Sequence, residues 1–344
     1  MIHINALISI YMPSVFSVHP PSFSQKEAIE ILHQEFGLSG KTQELYSERD
    51  QNFIVQTDSK SKYILKIFNP AEDRSVLDLQ HAATQFIKER DPELGVPLQV
   101  GGICEITKGS HTFFLRLVEY LDGQFMKDTQ IKNTDYLKTG QFLGRLSHAL
   151  AGFQHPGAMR EFAWDVQPVH LIRERLQILK SENDRCTVSH FLDEYETNVI
   201  PIADKLRLAV IHNDGNDHNI LVNEKGETTG IIDFGDMVHS YQALEPAVCM
   251  AYMALEKNDP VAVMAPVLKG YHSCFPLNDA ELKSTLYLSC VRLCITVTMA
   301  AWRKTLYPDN EYLTVSENAA WTLLKSMERE NLSDWSCRLM EYAK

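Results

Sequence analysis

Residues 210–222 read Val-Ile-His-Asn-Asp-Gly-Asn-Asp-His-Asn-Ile-Leu-Val, and residues 230–236 read Gly-Ile-Ile-Asp-Phe-Gly-Asp. Short apolar, β-like runs flank the polar loop on both sides. Within it His212, Asp214 and Asn219 are spaced H-x-D-x-x-x-x-N, and Asp233 follows fourteen residues after Asn219. Each group has a task in phosphoryl transfer. A carboxylate at 214, on a loop between strands, can accept a hydrogen bond from an attacking hydroxyl and orient it. The amide oxygen of Asn219 and the carboxylate of Asp233 are hard ligands suited to Mg²⁺ that carries nucleotide phosphates. A strand and a turn between them return the chain, so the two ligands meet across a hairpin. Asn, Asp and Gly also serve as ordinary turn residues, and Asp-Phe-Gly alone is weak evidence. The combination at this spacing, behind apolar strands, is what carries the reading.

Upstream, Tyr63-Ile-Leu-Lys-Ile-Phe68 places Lys66 as the only charge in a strand pattern. Such a lysine is ordinarily solvent-facing; beside a nucleotide signal it is a candidate cation for the phosphates. Lys66 belongs to a meander, Gln43–Ser47, Asn52–Gln56 and Tyr63–Phe68, which follows a helix that starts after Ser24 and closes at Gly37. A second helix is expected over Ser75–Glu89, then strands over Leu98–Ile103 and Thr112–Tyr120. Beyond Leu121-Asp122-Gly123 the pattern turns helical: 135–153, 169–185, 188–206 with an interruption at Pro201, 243–257, 279–304 and 316–329. Three short β runs, 208–211, 220–223 and 230–233, break into that helical half beside the polar motif. The expected organisation is a leader over 1–22, a β-rich lobe over 23–120 and a helical lobe over 121–344.

The chain has 344 residues and a net charge of −12, without a basic run. Nucleic-acid binding needs a basic footprint, so that class is disfavoured. Uninterrupted apolar runs fall short of the roughly 18–20 residues that cross a bilayer, so no membrane association is expected. The seven cysteines form no C-x-x-C pair, and a reducing cytoplasmic setting fits them best. The stretch Ile4–Val18 lacks a preceding Lys or Arg and contains Pro13, unlike a signal peptide; its structure is left open.

The order of β-rich lobe, strand Lys66, H-x-D-x-x-x-x-N and I-I-D-F-G-D resembles the aminoglycoside phosphotransferase and choline kinase superfamily over roughly residues 25–305. Ser47–Phe53, Phe153-Gln-His-Pro156, Arg160 with Trp164-Asp165, and Asn216–Leu221 are similar to its hydroxylysine kinase branch. The resemblance implies an α+β, protein-kinase-like bilobal fold and a kinase of a small hydroxylated, amine-bearing metabolite, with Mg²⁺ and ATP or GTP. On that basis Asp214 is the catalytic aspartate, Asn219 and Asp233 hold Mg²⁺, and Lys66 grips the phosphates. The segment Leu117–Leu121, with Glu119 and Leu121, forms the hinge beside the base. Ser47–Phe53, with Ser47 and Asn52, folds over the triphosphate.

Two features depart from the kinase pattern. The segment Ser47–Phe53 has no glycine, and the helix position that should offer Lys66 a carboxylate holds Gln80, with Asp78 a shorter substitute. For the acceptor, Trp164 and Asp165 are candidates to wall an ammonium group. Arg292, in an apolar helix, needs a partner: a substrate carboxylate or Glu245. His212 and His218 read as loop structure. Hydroxylysine, homoserine, choline-like alcohols and aminoglycosides all stay open as acceptors, as does oligomeric state. The competing class is a kinase-fold nucleotide-binding protein without turnover, favoured only by Gln80.

Overall fold

In the computed structural model, the described residues are 15–129, 133–308 and 316–344, the side chains of 133 and 134 excepted. They form two compact units, residues up to Leu77 with Pro97–Leu121, and Asp78–Val96 with Asp122–Lys344.

The first unit begins with α1 (Gln25–Phe36). Ser24 caps it through a reciprocal box with Glu27, and Gly37 closes it at φ 65°; such a cap stabilises a helix by about 1 kcal/mol. Five antiparallel strands follow: β1 (Gly40–Leu45), β2 (Gln51–Thr57), β3 (Lys62–Ile67), β4 (Gln99–Lys108) and β5 (His111–Glu119), in the order β1-β2-β3-β5-β4. In β2 the residues 51, 53, 55 and 57 are buried and their neighbours less so, the period-two pattern of a sheet with one covered face. Ala28, Ile31 and Leu32 of α1 pack with Phe53, Val55, Leu65, Leu115 and Leu117. Because β2 begins at Gln51, the loop expected over Ser47–Phe53 is shorter, and its last three residues are strand. Of the expected leader, residues 1–14 lie outside the described residues. Phe16 is buried, and the Val18 carbonyl accepts from Asn69 Nδ2 at 3.1 Å.

The chain passes between the units after Leu121 and also inside α2 (Arg74–Arg90), after Leu77, and before Pro97. Asp78–Val96 clusters with the second unit because its end is tied there. Arg145 forks onto Asp91 at 2.8 Å, and Ile231 N–H donates to the Gly95 carbonyl at 2.9 Å.

In the second unit, β6 (Gln124–Phe125), β8 (Ile220–Val222) and β9 (Thr228–Ile231) form one antiparallel sheet. β7 (Leu208–Ile211) pairs separately with β10 (Val238–Tyr241). The helices are α3 (Asn133–Leu150), α4 (Val169–Arg175), α5 (Glu182–Asn198), α6 (Leu244–Met253), α7 (Pro260–Cys274), α8 (Asp279–Leu306), α9 (Glu317–Met327) and α10 (Leu332–Ala343). Expected helices 169–185 and 188–206 are divided differently. Ser181 caps a new helix, its Oγ accepting from Asp184 N–H, and Pro201 lies in a 3₁₀ turn beyond α5. α7 escaped the periodicity reading because Pro266 and Gly270 interrupt its apolar pattern. Gly270 is required there: a methyl on it would overlap the Leu137 carbonyl of α3, and one on Gly140 would overlap the Val267 carbonyl. The two helices therefore touch backbone to backbone.

α8 is the axis of this unit, with α5, α6, α9 and α10 packed on it. Among the described residues it is the one helix long and apolar enough by composition to cross a bilayer, which counting uninterrupted runs does not reveal. Of its most apolar window, 94% is buried inside the unit, the environment of a core helix.

Candidate active site

The polar motif lies on the connection from β7 to β8, in the second unit. Its backbone is held from both ends. Asn213 sits at φ 66°, a left-handed conformation that asparagine tolerates, and its Nδ2 donates to the Asp236 carbonyl at 3.2 Å. His212 N–H donates to Glu245 Oε2 at 2.6 Å. The His212 ring is fully buried, with the Phe234 ring edge-on at 4.7 Å. Its Nδ1 accepts from Asp214 N–H at 3.2 Å, which assigns the ring proton to Nε2, facing the Ile232 carbonyl at 3.1 Å. Burial holds this imidazole below its ordinary value, and with Nδ1 occupied by the Asp214 N–H it serves as a neutral strut.

Asp214 presents its carboxylate at the end of this frame, 18% of the side chain being exposed. Oδ1 accepts from Arg292 Nη2 at 2.8 Å and from Asn216 Nδ2 at 2.9 Å. Oδ2 accepts from Asn219 Nδ2 at 2.6 Å. Asn219 thus directs its nitrogen at Asp214, and its oxygen is the end set to ligate a cation. The β8–β9 ladder pairs Ile220 with Ile231, and Ile232 N–H donates to the Asn219 carbonyl at 3.0 Å. Asp233 is the next residue, just past the strand at φ 63°, capping the turn Phe234–Asp236. The expected return of Asn219 and Asp233 across a hairpin is what the backbone shows. Both donors are hard oxygens, and Mg²⁺ needs only one or two such protein ligands beside phosphates. No group of three or more His, Cys, Asp or Glu side chains able to hold a metal occurs among the described residues.

Three residues expected near the acceptor are engaged by the protein itself. Arg292 donates to Asp214 and to the Trp164 carbonyl, not to Glu245, whose Oε2 accepts from His212 N–H. The Trp164 ring lies over that same guanidinium, 4.7 Å from its carbon. Asp165 is buried and accepts from Ser240 Oγ; burial raises its carboxyl above the usual range. Arg160, to which the sequence reading attached no chemistry, donates from Nη2 to the Gly235 and Met237 carbonyls at 2.7 and 3.0 Å. The segment 160–167 is therefore a brace beneath the two motifs. Asn216 was also missed as a contact of Asp214, although it stands inside the quoted stretch. Asp217 is pushed up by burial, with His218 beside it opposing that shift.

In the first unit Lys66 is buried, contrary to a solvent-facing lysine, with 8% exposure. The ladder sets it opposite Asn52 on β2 and Arg116 on β5. Lys66 Nζ and Arg116 Cζ lie 5.7 and 5.1 Å from the Phe68 ring. Ser47 is half-buried in the β1–β2 connection, and Leu121 is half-buried beyond β5. Glu119 is exposed at the end of β5, where its N–H donates to the Leu98 carbonyl at 2.9 Å.

Known proteins bear on this arrangement. The family model described as "Phosphotransferase enzyme family" (APH) matches residues 42–282. The hydroxylysine kinase of Bos taurus is 30% identical over 337 residues, covering 89% of this chain and 90% of the relative. That of Mus musculus is 28% identical over 344 residues, with the same shares covered. Among solved structures, an amicoumacin kinase in complex with AMP-PNP, Ca²⁺ and Ami aligns at a TM-score of 0.68 and 14% identity, covering 91% of this chain and 97% of that one. At that identity the likeness establishes the kinase-like fold.

Proposed function

Because the chain belongs to the phosphotransferase enzyme family, and is a small-molecule kinase with an alcohol group as acceptor, we propose the finer reading that it transfers the γ-phosphoryl group of ATP or GTP to the hydroxyl of hydroxylysine, with Mg²⁺. The observation that carries this is the tie between Asp214 Oδ2 and Asn219 Nδ2, on a hairpin where the Asn219 carbonyl accepts from the N–H of Ile232, the residue before Asp233. The acceptor class is supported by the hydroxylysine kinase relatives, which match along nine-tenths of their own length. The nucleotide is supported by the AMP-PNP-bound amicoumacin kinase.

In this reading the acceptor hydroxyl donates its hydrogen bond to the Asp214 carboxylate, which orients an oxygen lone pair toward the γ-phosphorus. The new O–P bond forms as the bond to the β–γ bridging oxygen breaks, and the nucleoside diphosphate leaves with that electron pair. The hydroxyl proton passes to Asp214. Asn219 and Asp233 would hold Mg²⁺, which when bound neutralises the phosphate oxygens. Lys66 contributes a second positive charge toward the phosphates, with Asn52 opposite it on β2, Ser47 on the β1–β2 connection, and Glu119 and Leu121 at the base. The chemistry is positioning and charge neutralisation throughout.

The test is a panel of hydroxylysine, homoserine, an amino alcohol and an aminoglycoside, each with Mg²⁺ and ATP or GTP, following nucleoside diphosphate release and phosphorylated product. Hydroxylysine is expected to give the highest kcat/KM, and Asp214→Asn to lower kcat by about 10²-fold or more. Acceptor-independent nucleotide loss, or full turnover in Asp214→Asn, would overturn the reading. A homoserine or aminoglycoside optimum would move the acceptor assignment and leave the reaction standing.

A further inference from the structure

Arg292 is an expensive residue for the place it occupies. It lies in the middle of α8 between Val291 and Leu293, both fully buried, and its own side chain is 1% exposed. An apolar side chain of similar volume would cost less there, since replacing a buried ion pair with apolar groups is often neutral or stabilising. The guanidinium is nevertheless held with care. Nη1 donates to the Trp164 carbonyl at 2.9 Å and Nη2 to Asp214 Oδ1 at 2.8 Å. The Trp164 and Tyr252 rings stand 4.7 and 5.6 Å from its central carbon, and Tyr252 Oη is paired with Thr296 Oγ1 one helical turn along α8.

The direction of this arrangement is informative. Arg292 is sealed, whereas the carboxylate it holds is 18% exposed, so the pair is anchored at the arginine and offered to solvent at Asp214. Asn216 and Asn219, which also donate to that carboxylate, are neutral amides on the same loop and would move with it. Arg292 ties Asp214 to a different element, across 78 residues of sequence. A guanidinium gripped at a second point, the Trp164 carbonyl, cannot swing with its partner.

We infer that Arg292 is a positioning residue for phosphoryl transfer: it locks the Asp214 carboxylate in the orientation that receives the acceptor hydroxyl, and the Trp164 ring and carbonyl lock Arg292. This rests on the role proposed for Asp214. It assigns Arg292 to the enzyme's own carboxylate in place of a substrate carboxylate, and it gives Trp164 a supporting function without contact to the acceptor.

The test is a kinetic cycle with Mg²⁺-ATP or Mg²⁺-GTP and hydroxylysine, on Arg292→Met, Arg292→Lys, Asp214→Asn and the double variant. Misplacement of an orienting group by about 1 Å costs on the order of 10²-fold, so kcat of Arg292→Met should fall by about that factor while nucleotide KM stays within about threefold. Arg292→Lys, with charge but no fork, should fall between Arg292→Met and the wild type. In the Asp214→Asn background, Arg292→Met should add less than about a threefold further loss, because the two act as one unit. An equal loss in both backgrounds, or an unchanged kcat in Arg292→Met, would overturn the inference. If Arg292→Met does not fold, Arg292→Lys decides: a lowered melting temperature with wild-type kcat counts against it. Full turnover in Asp214→Asn would sink the role of Asp214 and this inference together. A crippled Asp214→Asn beside an intact Arg292→Met would sink this inference alone.

Discussion

Strand β3 and the loop after β7 each carry a charged group of the proposed site, Lys66 and Asp214, but hold it by opposite means. Lys66 is placed by register: its backbone lies in a ladder whose neighbours, Asn52 and Arg116, are fixed by the pleat. Asp214 has no ladder. Its loop is held by Glu245 on α6 and Arg292 on α8, residues 33 and 78 positions removed from their partners. Strand positions survive side-chain change nearby, because backbone hydrogen bonds do the placing. Loop positions depend on a few remote side chains, and losing one loosens the whole loop.

The largest effect that would break this comparison is at Asp233. Asp233→Ala should lower Mg²⁺-dependent turnover by about 10³-fold with the fold intact by circular dichroism, since on the proposed reading it removes a carboxylate ligand at the developing charge. Turnover within tenfold of wild type would mean the loop frames something other than the metal. On the strand side, Lys66→Met should lower kcat/KM for the nucleotide by about 10- to 100-fold, while denaturant midpoints stay close to wild type. A large drop in stability would show that Lys66 is part of the scaffold.

Glu245→Leu sharpens the contrast, because it leaves the buried His212 N–H without its acceptor at the far end of the loop. We expect about 1–3 kcal/mol of lost stability, read by denaturant melts, and a several-fold loss of kcat although Glu245 touches no reacting atom. An unchanged kcat would deny that remote support sets the loop. The smallest effect is in pH. Burial keeps His212 from accepting a proton that the unfolded chain takes up near pH 6.5, so stability is full above that pH and declines as pH falls through it. His218 and His272 are shifted in the same direction by burial, so His212→Asn should make the decline in melting temperature between pH 7.5 and 5.5 shallower without abolishing it. A slope equal to wild type would show that His212 is not part of the linkage.

How much was legible follows the same division. The capped helix after Ser24, the meander and the hairpin between Asn219 and Asp233 were read correctly because their signals are local: a capping box, period-two burial, a polar turn. Arg292 was recognised as needing a partner, because an unpaired charge in an apolar helix is costly, but Glu245 was offered in place of Asp214. Both are acidic and both lie near α8 in the fold, and no pattern in a chain separates them. Trp164 and Asp165 are candidates for an ammonium site by residue type alone; the structure adds that the Trp164 ring lies over Arg292 and that Asp165 accepts from Ser240 Oγ. α7 was missed because Pro266 and Gly270 weaken its pattern, although Gly270 is what its close contact with α3 demands.

The amino-acid order by itself determined the reaction class and the fold, since both rest on short-range spacing: H-x-D-x-x-x-x-N, a hairpin length, a lysine in a strand. Only the tertiary structure decided which groups are tools and which are braces. A carboxylate, an arginine or an indole acquires its role from what lies within about 3–5 Å of it, and those neighbours arrive from helices far along the chain.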